Sequence, residues 1–93
     1  MKAYEWIQQL KLKNGWDSDY KAAQELGLTR AALSNYKVGR RTSLDESAAV
    51  KVAKLLGVKP EGILLDQYAE SVKEPLARAA LLAEARRLCV YYV

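Results

Sequence analysis

The run Ser-Asp-Tyr-Lys-Ala-Ala-Gln-Glu-Leu-Gly-Leu-Thr-Arg-Ala-Ala-Leu-Ser-Asn-Tyr-Lys from Ser18 to Lys37 leaves the backbone few choices. Ser18 suits a helix N-cap, and Asp19 puts negative charge in the first turn, where the helix dipole favours it. Ala22, Ala23 and Leu26 recur on one face. Gly27 can take the left-handed conformation that stops a helix abruptly. Thr29 then caps a helix predicted over residues 30–38, with Leu33 and Tyr36 turned inward, Ala32 beside them, and Gly39 at its end. Two short helices are thereby forced into a close crossing. Small Ala23 faces the partner helix, Gly27 turns the chain, and branched Leu33 plugs the gap.

The rest of the chain reads as helix as well. Tyr4, Ile7 and Leu10, with Trp6 nearby, give an apolar stripe and a first helix from Lys2 to Lys13, stopped at Asn14-Gly15. Gly15-Trp16-Asp17 is a linker, with Trp16 expected to lie over the core. After a basic loop from Arg40 to Leu44, Ser43 or Asp45 is placed to cap a fourth helix bearing Ala49, Val52, Ala53 and Leu56, ended by Gly57. Pro60 suits the first turn of a fifth helix presenting Ile63, Leu64, Leu65 and Tyr68. Pro75 opens a sixth, rich in Ala, Leu and Arg. No alternating stretch supports a strand.

Charge and composition exclude several functions. The chain of 93 residues suits one small core and has no histidine and a single cysteine. That removes the commonest general base and metal ligand, any internal disulfide and any all-cysteine zinc site. The carboxylates Asp45, Glu46, Glu61, Asp66, Glu70, Glu74 and Glu84 are expected along polar faces rather than as a catalytic pair. No enzyme, cofactor or metal is expected. No apolar run reaches membrane-spanning length and no basic-then-apolar leader opens the chain, so a cytoplasmic protein without a membrane partner is expected. Residues 1–43 hold eight Lys/Arg against four acids, whereas residues 44–93 hold seven of each. The excess positive charge therefore surrounds the Ser18–Lys37 motif, where a polyanion would bind.

The crossing pair has the form of a helix-turn-helix, whose second helix enters a DNA major groove. Ala23-x3-Gly27, Leu33 in the branched-apolar position, Lys37-Val-Gly-Arg40 after the reading helix, and Leu55-Leu-Gly-Val58 followed by Pro60 together resemble Cro/CI-type, lambda-repressor-like regulators over about residues 4–66. The resemblance implies an all-α, five-helix DNA-binding domain (1–67) with an additional C-terminal helical extension (68–93) for dimerisation. It implies a phage or prophage repressor acting as a homodimer on a palindromic operator by occluding a promoter. Two residues depart from the pattern. Asp19 stands where glutamine often bonds a phosphate, and a carboxylate there would repel one. Arg30 stands where glutamine is frequent, which changes the preferred base.

Side-chain chemistry sorts the reading helix. Thr29, Arg30, Ala31, Ser34 and Asn35 are the candidate base readers: Arg30 can bond guanine O6 and N7, Asn35 adenine N6 and N7, and Ala31 can touch a thymine methyl. Ser18, Tyr20, Lys21, Lys37, Arg40 and Arg41 are the candidate phosphate contacts, adding affinity rather than sequence information.

Beyond residue 67 the chain is too apolar for a disordered tail. It either packs back on its own domain or forms a symmetric dimer interface, expected from Leu65, Tyr68, Leu76, Leu81, Leu82, Leu88, Tyr91 and Tyr92. Cys89 is expected to serve as a small apolar side chain. With no sensor or self-cleaving domain expected, switching would fall to concentration, a competing regulator or an anti-repressor protein. Two alternatives stand beside this reading: an antitoxin that binds a toxin protein through its tail, and an adaptor that keeps the fold without binding DNA.

Overall fold

Side-chain caps set where four of the helices begin. The computed structural model describes residues 1–90, which form α1 (Ala3–Asn14), α2 (Asp19–Leu26), α3 (Arg30–Val38), α4 (Glu46–Leu56), α5 (Pro60–Ser71) and α6 (Pro75–Val90). There is no strand among the described residues. Ser18 Oγ accepts from the Lys21 N–H (3.1 Å) and Thr29 Oγ1 from that of Ala32 (3.0 Å). Asp45, not Ser43, caps α4, accepting from the Ala48 N–H at 2.8 Å. Glu74 accepts from the Ala77 N–H at 2.6 Å and so opens α6. A cap of this kind contributes typically about 1 kcal/mol. Gly27 has φ of +68° and ends α2 as expected; its N–H and that of Leu28 both reach the Ala23 carbonyl.

The core gathers the first five helices. Ile7, Leu10, Leu26, Val52 and Ile63 are its largest fully buried side chains, with Trp6, Leu33 and Tyr36 packed around them. Each such aliphatic contributes about 1.5–3 kcal/mol by leaving water. Trp16 lies half-buried against this core, as its place in the linker suggested.

α5 differs from its reading as an apolar helix. Its buried residues are Gly62, Ile63, Asp66, Gln67 and Ala69, while Leu64 and Tyr68 face outward. The reason is α6, which folds back and packs chiefly on α5. Gly62 permits this approach: a Cβ there would lie 2.8 Å from Cys89 Sγ and 3.3 Å from Leu88 Cβ. Ala85 is buried in the same region. Residue 67 lies within α5, and residues 72–74 join α5 to α6.

Asp66 and Glu70, expected on polar faces, are instead enclosed. Asp66 is 5% exposed and accepts from Trp6 Nε1 (2.8 Å), Gln67 Nε2 (2.9 Å) and the Met1 ammonium (3.0 Å). Glu70 pairs with the same ammonium at 3.0 Å and with Arg78 of α6 at 2.9 Å. Burial opposes charge on that ammonium, but hydrogen bonds from it to Asp66 and Glu70 prevail and raise its pKa. No local spacing in α5 distinguishes these carboxylates from exposed ones; only the folded chain brings Trp6 and the N-terminus over them.

Candidate nucleic-acid interface

α3 turns two faces to its surroundings. Leu33 and Tyr36 anchor it in the core, as their spacing predicts. Arg30, Ala31 and Ser34 point outward and are exposed, and Asn35 is half-buried. Arg30 forms no ion pair among the described residues, so its guanidinium is available for a ligand. Thr29 is exposed, with its oxygen committed to the α3 cap; its O–H still has a proton to donate. Asn35 Oδ1 accepts a long bond from Arg40 Nη1, 3.5 Å, weak enough to exchange for a base edge.

The predicted phosphate contacts surround this face. A cleft of about 270 Å³ between α2 and α3 is lined by Asp19, Tyr20, Arg30, Ser34 and Lys37, with Ala23 and Leu33 at its floor. It brings two base-reading candidates beside two phosphate candidates. Lys21 pairs with Glu25 one turn on, at 2.9 Å, an exposed pair of little strength. Ser18 is held by its cap. Arg41 lies over the Tyr36 ring, 5.8 Å from its centroid, and its N–H reaches the Asn35 carbonyl at 3.2 Å. The loop carrying Arg40 and Arg41 is tied down just beyond, where the Ala3 N–H donates to the Thr42 carbonyl at 2.8 Å.

The partners of Asp19 lay outside the sequence reading, which gave only its place in the first turn of α2. Asp19 caps no backbone; its carboxylate accepts from the Tyr4 O–H (2.9 Å) and from Lys11 Nζ (2.8 Å), and lies 3.5 Å from Lys37 Nζ. It joins α1, α2 and α3. Burial alone would raise its pKa, but the hydrogen bonds from Lys11 and Tyr4 and the nearby lysine charges lower it. Lys11 is held above its ordinary value chiefly by the bond to Asp19, and Tyr4 is raised by burial and by Asp19. Lys11 and Asp19 lie eight positions apart across a linker, and no helical period relates them.

The expected dimer residues divide. Tyr68 is 63% and Leu76 79% exposed, whereas Leu65, Leu81, Leu82 and Leu88 are half-buried within the chain. Tyr91 and Tyr92 lie outside the described residues. Cys89 packs against the core as a small side chain, and burial pushes its thiol up, away from reactivity.

Two capped helices crossing at Gly27, with an unpaired arginine at the start of the second, form a helix-turn-helix in space as well as in sequence. Residues 7–63, which hold most of α1, all of α2 to α4 and the start of α5, match the helix-turn-helix family. The chain belongs to the Cro/CI-type helix-turn-helix regulators. No curated protein and no solved structure matches it. As a Cro/CI-type regulator it is a DNA-binding transcription regulator, and double-stranded DNA is its partner. Among the described residues no helix is long and apolar enough to cross a membrane.

Proposed function

We propose that this Cro/CI-type regulator is a sequence-specific repressor that binds a palindromic operator as a homodimer and acts by excluding polymerase from a promoter. The observation that carries the reading is the outward face of α3: Arg30 and Ser34 stand exposed beside Tyr20 and Lys37, with Arg40 and Arg41 just beyond. Arg30 reads guanine by two parallel hydrogen bonds, Asn35 reads adenine once Arg40 releases it, and Ala31, Ser34 and Thr29 complete the base contacts. Tyr20, Lys21, Lys37, Arg40 and Arg41, with the Ser18 hydroxyl, hold phosphates.

A single reading helix spans only a few base pairs, and a twofold pair doubles the contact set on a palindrome. Tyr68 and Leu76, both left uncovered when α6 packs on α5, are the apolar side chains that serve the subunit contact. The test is selection of bound duplexes from a random library, with the Arg30→Ala/Asn35→Ala variant run in parallel. An inverted repeat that the variant loses supports the reading. Enrichment of a single half-site would refute the dimer, and enrichment unchanged in the variant would refute the assignment of the readers.

A further inference from the structure

The α2–α3 cleft contains a negative charge where a DNA-binding surface gains nothing from one. Asp19 shares that cleft with Arg30, Ser34 and Lys37. Arg30, Ser34 and Lys37 follow one another at helical spacing, so Lys37 extends the stripe that faces a groove and its flanking phosphate. Yet Lys37 Nζ, on a side chain 60% exposed, is drawn to 3.5 Å from Asp19 Oδ2. The Asp19 side chain is only 24% exposed and is held in place by Tyr4 and Lys11 from α1. The carboxylate is therefore fixed, and the lysine is the mobile partner.

From this geometry we infer that Asp19 is a positioning residue that acts as an internal substitute for a DNA phosphate. In the free protein it holds Lys37 against α2. On binding, Lys37 exchanges Asp19 for a backbone phosphate, while Lys11 and Tyr4 continue to satisfy the carboxylate. The exchange cancels part of what Lys37 would otherwise add. Asp19 thus lowers affinity for every duplex equally and leaves base readout untouched, so the Arg30 and Asn35 contacts decide more of where the protein resides. The inference rests on the DNA-reading role given to α3 above.

The test compares Asp19→Asn with the native protein by titrating a labelled operator duplex and a random duplex over a series of salt concentrations. Asparagine keeps an oxygen for Tyr4 and Lys11 and removes the charge that competes for Lys37. Lys37 meets the same phosphate in both proteins, so the slope of log affinity against log salt stays nearly the same, while loss of the competing charge raises affinity about two- to fivefold for both duplexes alike. In the same experiment Lys37→Ala weakens binding more in the Asp19→Asn background than in the native one. A merely structural role for Asp19 would leave both the affinity and this coupling unmoved. Asp19→Ser, which suits the first turn of a helix, replaces the asparagine variant if that one does not fold. Unchanged affinity, or weaker binding by a folded variant, overturns the inference alone. Absence of binding to any duplex by the native protein overturns it together with the DNA-reading role of α3.

Discussion

Removing the Asp66 carboxylate exposes how much the fold depends on a charge the core encloses. In Asp66→Ala the indole N–H of Trp6 loses its acceptor at 2.8 Å while Trp6 stays buried, and an unsatisfied donor of that kind costs about 1–3 kcal/mol. The Met1 ammonium and Gln67 Nε2 are less affected. Met1 keeps Glu70 at 3.0 Å, and Gln67 Nε2 keeps the Met1 carbonyl at 2.8 Å. The cost is therefore less than that of stranding a buried ion outright, which runs to about 3–5 kcal/mol. We expect about 3 kcal/mol for Asp66→Ala, and about 1 kcal/mol for Asp66→Asn, whose oxygen still accepts from Trp6.

For a chain of this size 1 kcal/mol corresponds to about 4–8 °C, so the alanine variant should melt roughly 12–24 °C below the native protein. Thermal and urea unfolding followed by circular dichroism measure both variants. Trp6→Phe provides the cross-check. With the indole N–H gone, Asp66→Ala should cost about 1 kcal/mol less than it does alone, a coupling typical of contacting groups. A loss under about 1 kcal/mol for Asp66→Ala, or equal losses for alanine and asparagine, would show that Trp6 does not depend on this acceptor.

Other substitutions separate readout, affinity and backbone strain. Arg30→Ala should reduce discrimination at one guanine position of the selected site by about 1–3 kcal/mol, measured by competition with single-base variants. Arg40→Ala and Arg41→Ala should weaken all sequences alike and flatten the salt dependence, read by fluorescence anisotropy. Gly27→Ala should destabilise by about 1–2 kcal/mol in urea unfolding, because φ is +68°; the Lys51 Nζ that a Cβ would meet at 2.8 Å ends a flexible side chain and can move aside. The pH dependence follows from Asp19, whose pKa is lowered by folding: its stabilising contribution is complete above the ordinary value of 3.8 and is lost as pH falls through the lowered one. The stability gap between native protein and Asp19→Asn should accordingly be open at neutral pH and close in acid, which denaturant titrations at both pH values would show.

What could be read from the sequence was whatever depends on neighbours along the chain. Ser18, Thr29 and Gly27 act within a turn or two of themselves, and all three take the roles their residue types dictate. The inward places of Leu33 and Tyr36 follow from helical period alone. What could not be read depends on contacts between distant segments. Trp6 and Asp66 meet across 60 positions, and α6 hides the side of α5 that would otherwise have been its polar face. Asp19 illustrates both cases: its first-turn position was legible, but its ties to Tyr4, Lys11 and Lys37 were not, because they require three helices already assembled.

These long-range bonds also link the core to the loop of Arg40 and Arg41. The Ala3 N–H holds the Thr42 carbonyl at 2.8 Å, and Gln67 Oε1 accepts from the Leu44 N–H at 2.7 Å, so the segment after Arg40 and Arg41 is tied to α1 and to α5. Gln67 in turn bonds Asp66 and the Met1 carbonyl, and Glu70 carries the network on to Arg78 of α6. A loop that presents two arginines to phosphates loses affinity if it must be ordered at the moment of binding, because that ordering entropy is subtracted from the contacts formed. Anchoring the loop through Gln67 has that cost met by folding instead. On the function proposed above, Asp66 of α5 bears on the DNA face only indirectly, by fixing the glutamine that fixes the loop.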